Sequence, residues 1–106
     1  MFTIVRKFRL SRGSFGEVTR RVETGFVPLL RELPGFRSYS LLDGGQDTLI
    51  SIRVFDSADE ALASNETAAE WMRDNVMEFV KGMPEVMAGE VIISEKNEDH
   101  PRENRK

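Results

Sequence analysis

The hydrophobic periods along the chain predict an α+β fold of the ferredoxin-like βαββαβ kind, with a four-stranded antiparallel sheet and both helices on one face. Three observations carry this expectation. Apolar residues alternate in period two over Phe2–Leu10, Phe36–Leu42 and Thr48–Phe55, and an apolar run at the centre of Val86–Ser94 adds a fourth strand. Three- and four-residue spacing between the first and second strands, and again between the third and fourth, marks two helices. Gly44-Gly45, inside a short polar stretch between the two middle strands, makes them an antiparallel hairpin.

In the first strand Phe2, Ile4, Phe8 and Leu10 share a face that Arg6 interrupts. An Arg in such a place either snorkels to the rim or binds an anion. Ser14 to Glu17 fits a capping box, and Phe15, Val18, Val22, Phe26, Leu29 and Leu33 then form one amphipathic stripe. Pro28 lies inside that helix and predicts a bend, and Pro34-Gly35 ends it. In the third strand Ile50, Ile52 and Val54 take one face, while Leu49, Ser51, Arg53 and Phe55 take the other. Apolar groups on both faces imply cover on both. One helical layer covers one of them.

Ser57 to Glu60 is a second capping box and Thr67 to Glu70 a third. They allow one continuous helix or a break near Asn65, which would make Asn65 a cap rather than a ligand group. Trp71, Met72, Val76, Phe79 and Val80 form the apolar face, and Gly82 and Pro84 stop the helix. The last strand is centred on Val91, Ile92 and Ile93. Residues 1–95 thus read as one domain. Residues 96–106 carry no aliphatic or aromatic side chain and read as a disordered charged tail.

Composition narrows the chemistry. The 106 residues carry a net charge of −3, which gives no general attraction to nucleic acid or to an anionic membrane. Without cysteine there is no thiolate nucleophile, and the one histidine, His100, lies in the tail. A metal site or a Ser-His triad is therefore not expected. No apolar run is long enough to span a membrane, and MFTIVRKF has charge where a signal peptide needs apolar residues. A cytoplasmic location is the expectation.

The strings LPGFRSYSLL, ISIRVFDSADEALAS, a helix containing EW, and GEVIIS resemble the antibiotic-biosynthesis-monooxygenase-like proteins. The resemblance implies a dimeric α/β barrel and spans Phe2 to Ser94. Cofactor-free monooxygenases of that family acting on polycyclic phenols have an Asn and a Trp on the third strand, where Ser51 and Phe55 stand here. Their helical Arg falls on Met77, one turn from Arg73. Haem-degrading members use a first-strand Asn, absent here, a Trp that Trp71 matches, and a His near whose position Lys81 stands.

A pocket between the helices and the sheet would be lined by Tyr39, Ser51, Arg53, Phe55 and Trp71. Flat walls, hydroxyls and one cation suit a small planar oxygenated aromatic, such as a phenol or quinol. The structural alternative makes Phe55 and Trp71 core and pairs Arg53 with a carboxylate such as Glu90. Two functions follow: a monooxygenase with no cofactor, whose substrate itself activates oxygen, or a non-catalytic ligand-binding or accessory homodimer. In either case the open face of the sheet would be the contact between subunits.

Overall fold

The computed structural model describes residues 1–97. Strands β1 (Phe2–Leu10), β2 (Phe36–Gly45), β3 (Thr48–Phe55) and β4 (Val80–Glu90) form one antiparallel sheet in the order β2-β3-β1-β4. Two helical stretches cover one face. This is the ferredoxin-like arrangement. The tail expected from residue 96 onward falls, past residue 97, outside the described residues.

The first helical stretch runs as α1 (Phe15–Arg21), a π-helical turn at Val22–Phe26, and α2 (Val27–Arg31). Its buried residues are Val18, Val22, Phe26 and Leu30, every fourth position. In a pure α-helix each four-residue step overshoots a full turn by about 40°. The π turn bonds i to i+5 and absorbs the overshoot, so Leu30 faces the core with 0% exposure. Leu29 and Leu33, expected on that stripe, are only half-buried for the same reason. Pro28 stands in the first turn of α2, where a missing N–H is tolerated. The expected box at Ser14 does not form. Ser14 already has helical dihedrals, and its hydroxyl donates back to the Ser11 carbonyl at 2.6 Å.

Helix α3 (Ala58–Asn75) is continuous, and the Ser57 hydroxyl accepts from the Glu60 N–H at its start. Asn65 is therefore mid-helix and caps nothing. The buried face of α3 is Ala61, Ser64 and Ala68, all small, so the helix lies close to the sheet.

Two strand expectations need correction. The hairpin turns at Gln46-Asp47, both with positive φ, rather than at Gly44-Gly45, which belong to β2. β4 begins six residues earlier than expected and ends at Glu90. Its partner decides this: Phe2 of β1 pairs with Glu90 at the end of their register, where the Met1 carbonyl accepts the Val91 N–H. Among the described residues the Val91–Ile93 run has no strand partner, and Ile92 is 87% and Ile93 83% exposed. Gly82 and Pro84 sit within β4 instead of stopping a helix. Gly82 takes φ +71° where the register with β1 shifts, and an edge strand accommodates Pro84.

The core has two parts. Phe8, Leu10, Val18, Val22, Phe26, Leu30, Leu49, Ala68 and Val76 form the larger. Ile4, Phe55 and Ala61 form the smaller, with Phe2, Leu33 and Phe36 at its edge. Along β1 and β3 the residues between the two clusters are Arg6, Ser51 and Arg53. That polar belt is where function is to be sought.

Candidate functional site

Sheet register places the belt. Arg6 pairs with Ser51 and Ser51 with Leu41; one row over, Ile4 pairs with Arg53 and Arg53 with Tyr39. Directly opposed residues share a face, so all six point under the helices. A cavity of about 40 Å³ lies there, lined by Arg6, Tyr39, Ser51, Arg53, Trp71 and apolar residues of the larger core. That volume holds a few waters at most, at about 10–15 Å³ each. An open groove of about 440 Å³ adjoins it between the first helical stretch and the β2–β3 hairpin, and Val22, Tyr39, Leu41 and Leu49 line both spaces.

Aromatic packing forms one wall. The Phe26 ring meets Tyr39 edge-on at 5.5 Å and lies 5.1 Å from Trp71, tilted by 36°. Gly25 lets the indole come so near the π turn: a Cβ there would stand 3.2 Å from Trp71 Nε1. Phe55 does not reach the cavity. It is 0% exposed in the smaller core, with its ring 5.8 Å from that of Phe36, and this corrects the expectation that it walls the pocket.

The polar end is more unusual. Arg53 is 2% exposed and donates to the Ser64 hydroxyl at 3.0 Å, the Ser64 carbonyl at 3.3 Å and Asn65 Oδ1 at 2.9 Å. Arg6 donates to the same Asn65 oxygen at 3.2 Å, and its Nε is buried without a partner among the described residues. Neither guanidinium forms an ion pair among the described residues. Glu90, the carboxylate suggested for Arg53, instead meets the N-terminal amine at 3.2 Å. Held at one shared acceptor, the two like charges repel each other.

Burial, then repulsion from Arg6, pulls the Arg53 guanidinium down to about 10, which leaves it protonated at neutral pH. Burial likewise lowers Arg6. Burial pushes the Tyr39 phenol up to about 12, against the opposing influence of Arg53 and the Ser51 hydroxyl. Tyr39 is therefore a neutral donor over the whole physiological range.

It is also the chain's only tyrosine, so phenolate absorbance reports this residue alone. Its midpoint is expected at about pH 12 in the folded protein, with circular dichroism verifying the fold at each step. A midpoint at the ordinary value near 10 in folded protein would put Tyr39 in water. The linked stability has a definite sign. A raised acid pKa means the folded state holds its proton longer, so this contribution is complete below about pH 10 and is lost as pH rises through about 12.

Of the five residues expected at the site, Tyr39, Ser51, Arg53 and Trp71 line one cavity and Phe55 does not. Asn65 and Ser64 were missed as groups of this cluster, because helical period alone does not show what lies beneath α3. Arg6 had a signal, a charge on the apolar face of β1.

The family model described as "Antibiotic biosynthesis monooxygenase" matches residues 1–71. The chain belongs to the antibiotic biosynthesis monooxygenase family. No curated protein matches it. Similar solved structures include a protein of unknown function from Nitrosomonas europaea (14% identity, 90% of this chain and 92% of that one, TM-score 0.76). Another is the monooxygenase ActVA-Orf6 of Streptomyces coelicolor with nanaomycin D (16% identity, 88% and 92% covered, TM-score 0.68). A third is the haem degrader MhuD of Mycobacterium tuberculosis with two haems in its active site (15% identity, 91% and 100% covered, TM-score 0.72). At such identities these likenesses establish the fold. Within the family's matched span this member carries Arg6, Tyr39, Ser51, Arg53, Asn65 and Trp71. Among the described residues no helix is long and apolar enough to cross a membrane.

Proposed function

We propose that this protein binds a small phenol- or quinol-type aromatic beside Tyr39, Ser51, Arg53 and Trp71 and oxidises it with molecular oxygen without a cofactor. The observation that carries this reading is the meeting of aromatic walls, a neutral phenol donor and an uncompensated cation in one place. Membership of a monooxygenase family supports it. In such chemistry the substrate supplies the electrons. A phenol with a hydrogen on its para carbon, ionised to its anion, takes up O2 at that carbon and leaves as a quinone. One oxygen atom becomes the new carbonyl, the other leaves as water with the phenolic and the para hydrogens, and no external reductant is needed. Arg53 and Arg6 would favour the ionised oxygen in the cavity, and Val22, Tyr39, Leu41 and Leu49 would hold the ring where the groove adjoins it.

The test is oxygen uptake with a panel of quinols and anthrone-type phenols, using labelled O2. One labelled atom is expected in the product. Arg53→Gln and Tyr39→Phe are expected to weaken binding about tenfold each. If neither variant alters binding of any ligand found, the site is misassigned.

A second reading, a non-catalytic binding protein, draws on Ser51 and Phe55 standing where the phenol-oxidising members carry Asn and Trp. Tight binding without oxygen uptake across the panel would favour it. Both readings include a homodimer through the open face of the sheet, where Met87, Val5 and Ile52 follow one another across three strands.

A further inference from the structure

We infer that the cavity is an anion subsite: Arg6 and Arg53, sharing Asn65 Oδ1, form a two-guanidinium clamp for a carboxylate or enolate carried on an apolar frame. The inference rests on the proposal that this cavity receives the ligand, and it adds that the two guanidiniums together grip a single anionic head group.

The first argument is charge balance. Two guanidiniums, one of them 2% exposed, are held together with no carboxylate partner among the described residues. Buried cations are ordinarily paired, and a ligand anion is the missing half. The second is donor count. A guanidinium has five N–H groups, yet Arg6 makes one side-chain hydrogen bond, to an acceptor it shares, and its buried Nε makes none. A planar anion with two oxygens matches that fork. The third is size. About 40 Å³ is too little for a ring but suits a small head group, while the adjoining groove, reached past Val22, Tyr39, Leu41 and Leu49, has room for the ring. Finally, the lining contains no Asp, Glu, His or Lys, so the cavity has no base of its own to take a proton. The ligand must therefore arrive ionised or lose its proton outside the cavity, to solvent or to Glu23 or Asp43 of the groove.

Binding of salicylate and of its neutral counterpart 2-hydroxybenzyl alcohol, measured by calorimetry at constant ionic strength and neutral pH, tests the idea. Salicylate is expected to bind at least tenfold more tightly. That preference should vanish in Arg6→Gln and in Arg53→Gln, each checked for native circular dichroism. Asn65→Asp keeps the side chain's shape and supplies the missing carboxylate. It should raise the melting temperature by several degrees and abolish salicylate binding. Equal affinity for the two probes would overturn the clamp while leaving the aromatic reading intact. Acetate binding that needs both arginines, with no gain from a ring, would support the clamp and sink the aromatic reading. Neither anion binding to wild-type protein, or a lower melting temperature for Asn65→Asp, would overturn the clamp.

Discussion

Phe55→Ala is expected to lower the stability of the fold by about 3–5 kcal/mol, the range for removing a fully buried aromatic ring. The ring is 0% exposed at the end of β3, packed against Ile4 and Ala61 and edge-on to Phe36. These neighbours belong to a sheet, a helix and a strand start, so they have little freedom to collapse into the space. The loss includes both the transfer term and the cavity. For a domain whose whole stability is about 5–15 kcal/mol, this brings the chain close to unfolding at ambient temperature. Urea denaturation at unchanged slope measures it. A loss below about 1 kcal/mol would mean that the smaller core is not a core. Phe55→Leu, the milder change, is expected to leave affinity for any ligand unaltered, because Phe55 does not touch the cavity. A selective loss of binding would restore Phe55 to the site.

Ile52→Glu is expected to convert a dimer into monomers or aggregates. Ile52 lies at the middle of the face of the sheet that no helix among the described residues covers, with Val5 and Ser40 opposite it on the neighbouring strands. Ile50 and Val54 flank it on the same face, and Leu42 and Met87 stand exposed at the margins. A stable interface typically removes at least about 1,200 Å² of total surface from water. If half is apolar, about 25 cal/mol per Å² gives a gross gain of about 15 kcal/mol, much of it offset by lost rigid-body freedom. One glutamate per subunit at the centre of that contact would place two like charges near a two-fold axis in a dry environment. Ala69→Glu, on the exposed side of α3, is the control and should not change the mass. Light scattering at micromolar concentration decides the matter. A wild-type mass equal to the 12.1 kDa of one chain would sink the proposal.

The sequence by itself determined the order of elements and which face most strand residues take. Period two in β3 places Ser51, Arg53 and Phe55 under the helices, and the structure buries all three. It also announced the hairpin and the Ser57 cap, since turn and cap chemistry act within a few residues of chain. What needed the tertiary structure were the properties set by a partner distant in sequence. β4 stops at Glu90 because β1 starts at Phe2, although the most apolar residues come later. Leu30 is core because a π turn rotates the helix after Phe26, and no side-chain pattern states that rotation. Asn65 looked like a cap because polarity within a helix reads as an end. Only the approach of α3, through its small face of Ala61, Ser64 and Ala68, brings its amide oxygen onto two arginines from different strands. Arg6 and Arg53 are 47 positions apart, and nothing local reports their meeting. Register decides it, because antiparallel pairing of β1 with β3 sets Arg6 across from Ser51, two residues from Arg53 on the same face.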